Sequence, residues 1–143
     1  MTQVVGARHG KPDALDALQG IARYTDDLTL PRMLHAKILR SPHAHARILR
    51  IDTSRAEALE GVHAVCVGAE MPTTYGVIPW TPDEHALAVG KVRYVGDGVA
   101  AVAAVSEEVA AAACKLIEVD YELLPALTTP EAALASKDVL VHE

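Results

Sequence analysis

Residues 96–108, Gly-Asp-Gly-Val-Ala-Ala-Val-Ala-Ala-Val-Ser-Glu-Glu, lie where two incompatible folds part. If the chain turns helical at Val99, then Gly96, Gly98 and Ala101 form a G-x-G-x-x-A turn after a strand. That is the dinucleotide-binding pattern, in which glycines let the backbone approach a pyrophosphate. Glu118 and Asp120, about twenty residues further on, could then hold a ribose. If Gly96-Asp97-Gly98 is instead a turn between strands, Val99–Val105 is a strand and a helix starts at Ser106. Periodicity does not decide, because Val99, Val102 and Val105 recur every three residues. Alanine favours helix over valine by about a few tenths of a kcal/mol per residue. Ser106-Glu107-Glu108 favours the strand: a cap contributes about 1 kcal/mol, and only at a true helix end. The two acids also suit the positive end of a helix dipole. The expectation is a strand over Val99–Val105, a helix from Ser106 or Glu107, and no nucleotide at Gly96-Asp97-Gly98. A stand-alone dinucleotide-binding enzyme is the alternative.

The flanking chain supplies the other elements. Met33–Arg40 reads as a strand whose Leu34, Ala36 and Ile38 share one face. Ser41-Pro42-His43 breaks it. Ala46–Ile51 resumes as a second strand, with Ala46, Ile48 and Arg50 on one face and Arg47, Leu49 and Ile51 on the other. Ser54-Arg55-Ala56-Glu57 has the form of a capping box, and Gly61 stands where such a helix should end. Val62–Val67 reads as a short buried strand. Residues 68–84, with Pro72, Pro79 and Pro82, read as irregular and exposed. Val89–Val95 reads as a strand, and Ile117–Glu122 as a strand with one wet face. Thr129-Pro130-Glu131 starts another helix, with Pro at the first helical position, which fades by Ser136 before Val139–Glu143 trails off. Residues 1–19 form a polar lead-in with at most one helical turn, over Asp13–Leu18. Residues 20–143 form one domain of α/β (α+β) class, a small mixed sheet with a few packed helices.

Composition narrows the functions open to it. The chain has 143 residues, no Phe, and 3% aromatics against 50% hydrophobic residues. Its core must therefore come from Ala, Val, Leu and Ile, and it has no aromatic platform for stacking bases. Thirteen basic and nineteen acidic residues leave a net charge of −6, against a nucleic-acid partner. No apolar run approaches the roughly 18 residues of a membrane span, and the N-terminus lacks a signal-peptide core. A cytoplasmic location is the expectation. Two cysteines, Cys66 and Cys114, make neither a disulfide framework nor a four-ligand zinc site. Both read as buried small hydrophobes. His35, His43 and His45 could together hold a metal, so a non-catalytic His-based metal-binding module is a second alternative. There is no G-x-S-x-G elbow. Tyr75 and Trp80 read as exposed aromatics suited to a partner surface. Self-association of the isolated chain is expected through them and Ile78, or through Val4-Val5.

Several motifs in series carry a resemblance. Gly20-Ile21-Ala22-Arg23-Tyr24-Thr25-Asp26-Asp27, Met33-Leu34-His35-Ala36 and Arg40-Ser41-Pro42-His43-Ala44-His45-Ala46-Arg47-Ile48 come first. Ile51-Asp52, Glu60-Gly61-Val62, Lys91–Asp97 and Val119-Asp120-Tyr121-Glu122-Leu123-Leu124-Pro125 follow in order. Together they resemble the N-terminal region of molybdenum hydroxylase large subunits, the aldehyde oxidase and xanthine dehydrogenase family. Arg40–Arg47 and Tyr75–Val105 resemble the 4-hydroxybenzoyl-CoA reductase branch in particular. The resemblance implies a hammerhead domain, in which the residues after Gly96 form a strand. Where the family often carries a side chain, this sequence has Gly98. The resemblance further implies an oxidoreductase with a molybdenum–pterin cofactor, iron–sulfur clusters and FAD. The family's cofactor loops and catalytic glutamate belong to a region beyond this domain, so no catalytic, cofactor-binding or metal residue is assigned here. By itself this chain, a fragment or a split subunit, is expected to be inactive and structural. Its expected partners are the molybdenum-binding remainder of the large subunit and the iron–sulfur and FAD subunits or domains.

Overall fold

A computed structural model describes residues 5–8, 10–78 and 80–142. It divides into two compact units, residues 1–33 and 34–143. In the first, α1 (Ala14–Gln19) is the short helix expected near Asp13–Leu18, and it buries no residue. Gly20 closes it in the left-handed region at φ +71°, donating to the Ala17 and Asp16 carbonyls. Thr25–Asp27 is a single 3-10 turn, tied by the Tyr24 N–H to Asp27 Oδ2 at 2.9 Å.

The second unit is of the α+β class expected, its strands dividing between two three-stranded antiparallel sheets where a small mixed sheet was expected. One runs β1 (His35–Arg40), β5 (Gly98–Ala104), β3 (Val62–Val67); the other runs β4 (Lys91–Val92), β2 (Ala46–Asp52), β6 (Glu118–Leu123). Three helices complete the unit: α2 (Ser54–Glu57), α3 (Glu107–Cys114) and α4 (Pro130–Ala135). The decisive stretch behaves as expected. Gly98–Ala104 is a strand, and Ser106 Oγ caps α3 by accepting from the Val109 N–H at 3.3 Å. Ala100, Val102 and Ala104 pack under Ala110, Ala113 and Cys114 of α3 in the main core. Val99 enters a second core with Ala46, Ala88 and Val92. Small residues let strand and helix approach closely, which is how a core without Phe is filled.

Several expectations need correction. Leu34, Ala36 and Ile38 do share a face, but it points outward, and Leu39 packs on the core instead. In β2 a bulge falls between Ile48 and Arg50. The extra residue, Leu49, is exposed, and the shift in phase puts Ile51 beside Ile48 against the core rather than beside Leu49. Helix α2 starts at Ser54 with Thr53 as its cap residue, so Ser54 is not the head of a capping box. The Asp52 carboxylate does that work, accepting from the Ser54 N–H at 3.0 Å and hydroxyl at 2.6 Å. Gly61 follows in the left-handed region at φ +88°. Val62–Val67 is an edge strand, half exposed rather than buried. Val89–Val95 pairs only over Lys91–Val92, because Gly90 turns the chain before it and the Asp97 carboxylate takes the Arg93 N–H after it. Thr129 caps α4 as expected, accepting from the Ala132 N–H at 3.2 Å. None of the described helices is long and apolar enough to cross a membrane.

Candidate functional site

The Gly96-Asp97-Gly98 turn is consumed by its own domain. Gly96 N–H donates to Ser41 O and Ser41 N–H to Asp97 O, each at 2.8 Å. Arg40 donates to Gly96 O at 2.8 Å. A pyrophosphate would need these backbone donors turned toward it. Gly98 is glycine for packing: a Cβ there would lie 3.2 Å from Ile38 Cγ2 and 3.3 Å from Leu87 Cδ2. Glu118 pairs with Arg55 at 2.9 Å, and Asp120 lies 3.9 Å from Arg50, so neither is set to hold a ribose. With a strand from Gly98, the dinucleotide alternative is overturned.

The three histidines do not meet. His35 opens β1 in one sheet, while His45 precedes β2 in the other. His43 stacks edge-on against Tyr121, ring centroids 4.9 Å apart. His45 is 3% exposed, with Nδ1 2.8 Å from Pro125 O and Nε2 enclosed without a hydrogen-bond partner. Among the described residues no group of three or more His, Cys, Asp or Glu converges on a metal position, which overturns the His-based metal module.

A cavity of about 390 Å³ beside His45 gathers Arg47, Lys91, Arg93 and Asp138. Sequence reasoning missed it, because its cations come from separate strands and its wall from the tail. Lys91 Nζ donates to Leu140 O at 2.9 Å and Arg93 Nε to Val141 O at 3.0 Å. These side chains bind the tail's backbone, a structural use of charge. A second cavity, about 260 Å³, lies between Tyr75, Asp83, Glu84, His85, Tyr94 and Asp97. The negative charge of Asp97, with burial second, holds the Tyr94 phenol above its ordinary pKa. His142 also lines the second cavity, 4.0 Å from Asp83, and His85 Nδ1 is buried there without a hydrogen-bond partner; among the described residues no Ser, Thr or Cys lines either cavity.

Cys114 is buried as expected, whereas Cys66 is only half-buried, because its strand β3 lies at the edge of the sheet. Burial raises the pKa of Cys114, which donates to Lys37 O at 3.8 Å. Burial, and then Glu70, raises that of Cys66. Neither is a ready thiolate. Val65 and Val67 pack on the α3 side, so Cys66 between them faces the other way. The two sulfurs therefore sit on opposite sides of one sheet. Iron–sulfur clusters commonly take four thiolates, so the donor set of this chain does not fit one. In the irregular stretch, Tyr75 pairs with Glu84 through backbone bonds, and Trp80 is 83% exposed, as expected. Val5 is exposed too; Val4 and Pro79 lie outside the described residues.

Residues 19–125 match the family model "Aldehyde oxidase and xanthine dehydrogenase, a/b hammerhead domain". The chain belongs to this family. Hammerhead relatives include the "Xanthine dehydrogenase molybdenum-binding subunit" of Escherichia coli O157:H7, 40% identical over 91% of this chain and 19% of its own. The "Carbon monoxide dehydrogenase large chain" of Afipia carboxidovorans is 40% identical over 99% of this chain and 18% of its own. The crystal structure of quinoline 2-oxidoreductase from Pseudomonas putida 86 superposes with a TM-score of 0.82 at 39% identity, over 96% of this chain and 18% of that one. The hammerhead chain thus spans less than a fifth of each of these relatives. The narrower likeness to 4-hydroxybenzoyl-CoA reductase is not shown by these three.

Proposed function

We propose that this chain is the hammerhead module of a molybdenum-binding large subunit in an oxidoreductase of the xanthine dehydrogenase and aldehyde oxidase type. Its own task is structural: it packs against the cofactor-binding part of that subunit. The family match, spread over residues 19–125 and reaching less than a fifth of the relatives' length, carries this reading. Residues 1–19 serve as the lead-in and 20–143 as the domain. The complete enzyme is cytoplasmic and draws on iron–sulfur and FAD partners. Its molybdenum–pterin group is held by residues beyond the hammerhead domain.

Metal analysis and absorption spectra of the purified chain test this. The expected result is no molybdenum, iron or flavin and no turnover of purines or aldehydes. Expression together with a molybdenum-binding region should yield a complex containing both. A chain that by itself carries stoichiometric metal or flavin overturns the proposal.

A further inference from the structure

The two sheets differ sharply on their outer sides. On β2 and β6, Arg47 pairs with Glu122 at 2.6 Å, Arg50 approaches Asp120, and Arg55 reaches Glu118, all more than a third exposed. That side is built for water. On the other sheet, the rows facing away from α3 are Ile38–Ala101–Cys66 and Ala36–Ala103–Ala64. These two rows are apolar, and charge stands at their margins: Arg40, the next outward residue of β1, follows Ile38, and the Glu70 carboxylate acts on Cys66. Ile38 remains 44% exposed, as does Leu34 just before the strand, and Ala36 and Ala64 are exposed. An antiparallel sheet with one wet face alternates apolar and polar residues. Strand β5, Gly-Val-Ala-Ala-Val-Ala-Ala, does not alternate: both of its faces are apolar. This is the pattern of a strand covered on both sides, yet helix α3 covers only one.

We infer that this outer face, on β1, β5 and β3, seats an uncharged surface of the molybdenum-binding remainder of the large subunit. The inference rests on the function proposed above. More than four-fifths of the chain lies beyond the matched region in each of the three relatives described above, so an occupant of the same polypeptide or assembly is at hand. Its chemistry follows from the rows. Alanine and cysteine on a sheet permit close approach, and Ile38 and Leu34 supply apolar contact at one edge. Over the alanines of β5 a charged occupant would lose its hydration with no partner in return, since Arg40 and Glu70 stand at the margins.

Cys66 lies within one of these rows, and Cys114 lies beneath the sheet, so thiol labelling with a maleimide at mildly alkaline pH reads the face directly. In the isolated chain Cys66 is labelled. In the large subunit containing this chain its rate falls by about tenfold or more, as access is lost, while an Arg47→Cys variant on the charged side labels equally in both. Ala103→Lys should leave the circular dichroism of the isolated chain unchanged and abolish assembly; if that variant misfolds, Ile38→Lys on the edge strand gives the same test. Cys66 labelled at equal rates in both states overturns this inference alone. A wild-type chain that enters no molybdenum-binding subunit overturns the proposed function along with it. A dimer of the isolated chain that protects Cys66 as strongly as the subunit assigns the face to a second copy and overturns the inference as stated.

Discussion

Gly68 has no room for a methyl group. A Cβ there would meet Ala88 O at 2.4 Å and Leu87 O at 2.7 Å, both backbone atoms that cannot rotate aside. Gly61 is constrained differently: its φ is +88°, and a Cβ would lie 2.9 Å from Val105 Cγ2, the end of a side chain that can turn. Gly68→Ala should therefore cost about 3 kcal/mol through overpacking, and Gly61→Ala about 1–2 kcal/mol, mostly backbone strain. Urea denaturation followed by far-ultraviolet dichroism ranks them, and the reverse order would refute the distinction. Gly61 was legible as a helix end. Gly68 was not, because its neighbours come from twenty residues along the chain. The same holds for His45, whose partner is the Pro125 carbonyl. Asp52 adds a pH dependence. Hydrogen bonds from Ser54, then Arg50, lower its pKa from 3.8 to about 2. A carboxylate depressed on folding stabilises the native state above its unfolded pKa and loses that contribution as pH falls through the folded one. Asp52→Asn should thus flatten the acid limb of stability between about pH 4 and pH 2. A carboxyl titration by NMR that finds Asp52 near its ordinary value would remove the basis for this.

Among the elements, α3 and α4 are capped alike but loaded differently. Ser106 caps a helix that buries Ala110, Ala113 and Cys114, whereas Thr129 caps one that buries nothing. Ser106→Ala should lower global stability by about 1 kcal/mol, while Thr129→Ala should fray α4 and leave the urea midpoint unchanged. Equal shifts for the two would contradict the core assignment. The cap made β5 and α3 legible, since a strong local signal fell at a real boundary. Strand β2 was legible as a strand but not in phase, because the bulge at Leu49 depends on how β6 pairs with it. Without Leu49 the strand would read Ala-Arg-Ile-Arg-Ile, in regular alternation. Deleting Leu49 should accordingly leave the fold intact by heteronuclear NMR. Deleting Ala101 from β5, which would reverse the faces of everything after it, should unfold the chain.

For the molecule as a whole, the residues of both cores and those packed on them lie between Leu39 and Tyr121. A chain beginning at Leu34 should therefore retain the far-ultraviolet spectrum of two sheets and a helix; a coil spectrum would show that residues 1–33 are required. The family was legible because its motifs recur in order along most of the chain, whereas the split into two sheets was not, since no local signal says which strands pair. The exposed Trp80 has an optical consequence. As the only tryptophan, it dominates the intrinsic emission, yet water surrounds it in the folded chain as it would in the unfolded one. Its colour should therefore barely change on denaturation, making the protein nearly silent to the commonest fluorescence assay. A blue shift in that emission would instead announce that something has closed over the loop, so the residue reports on company rather than on folding.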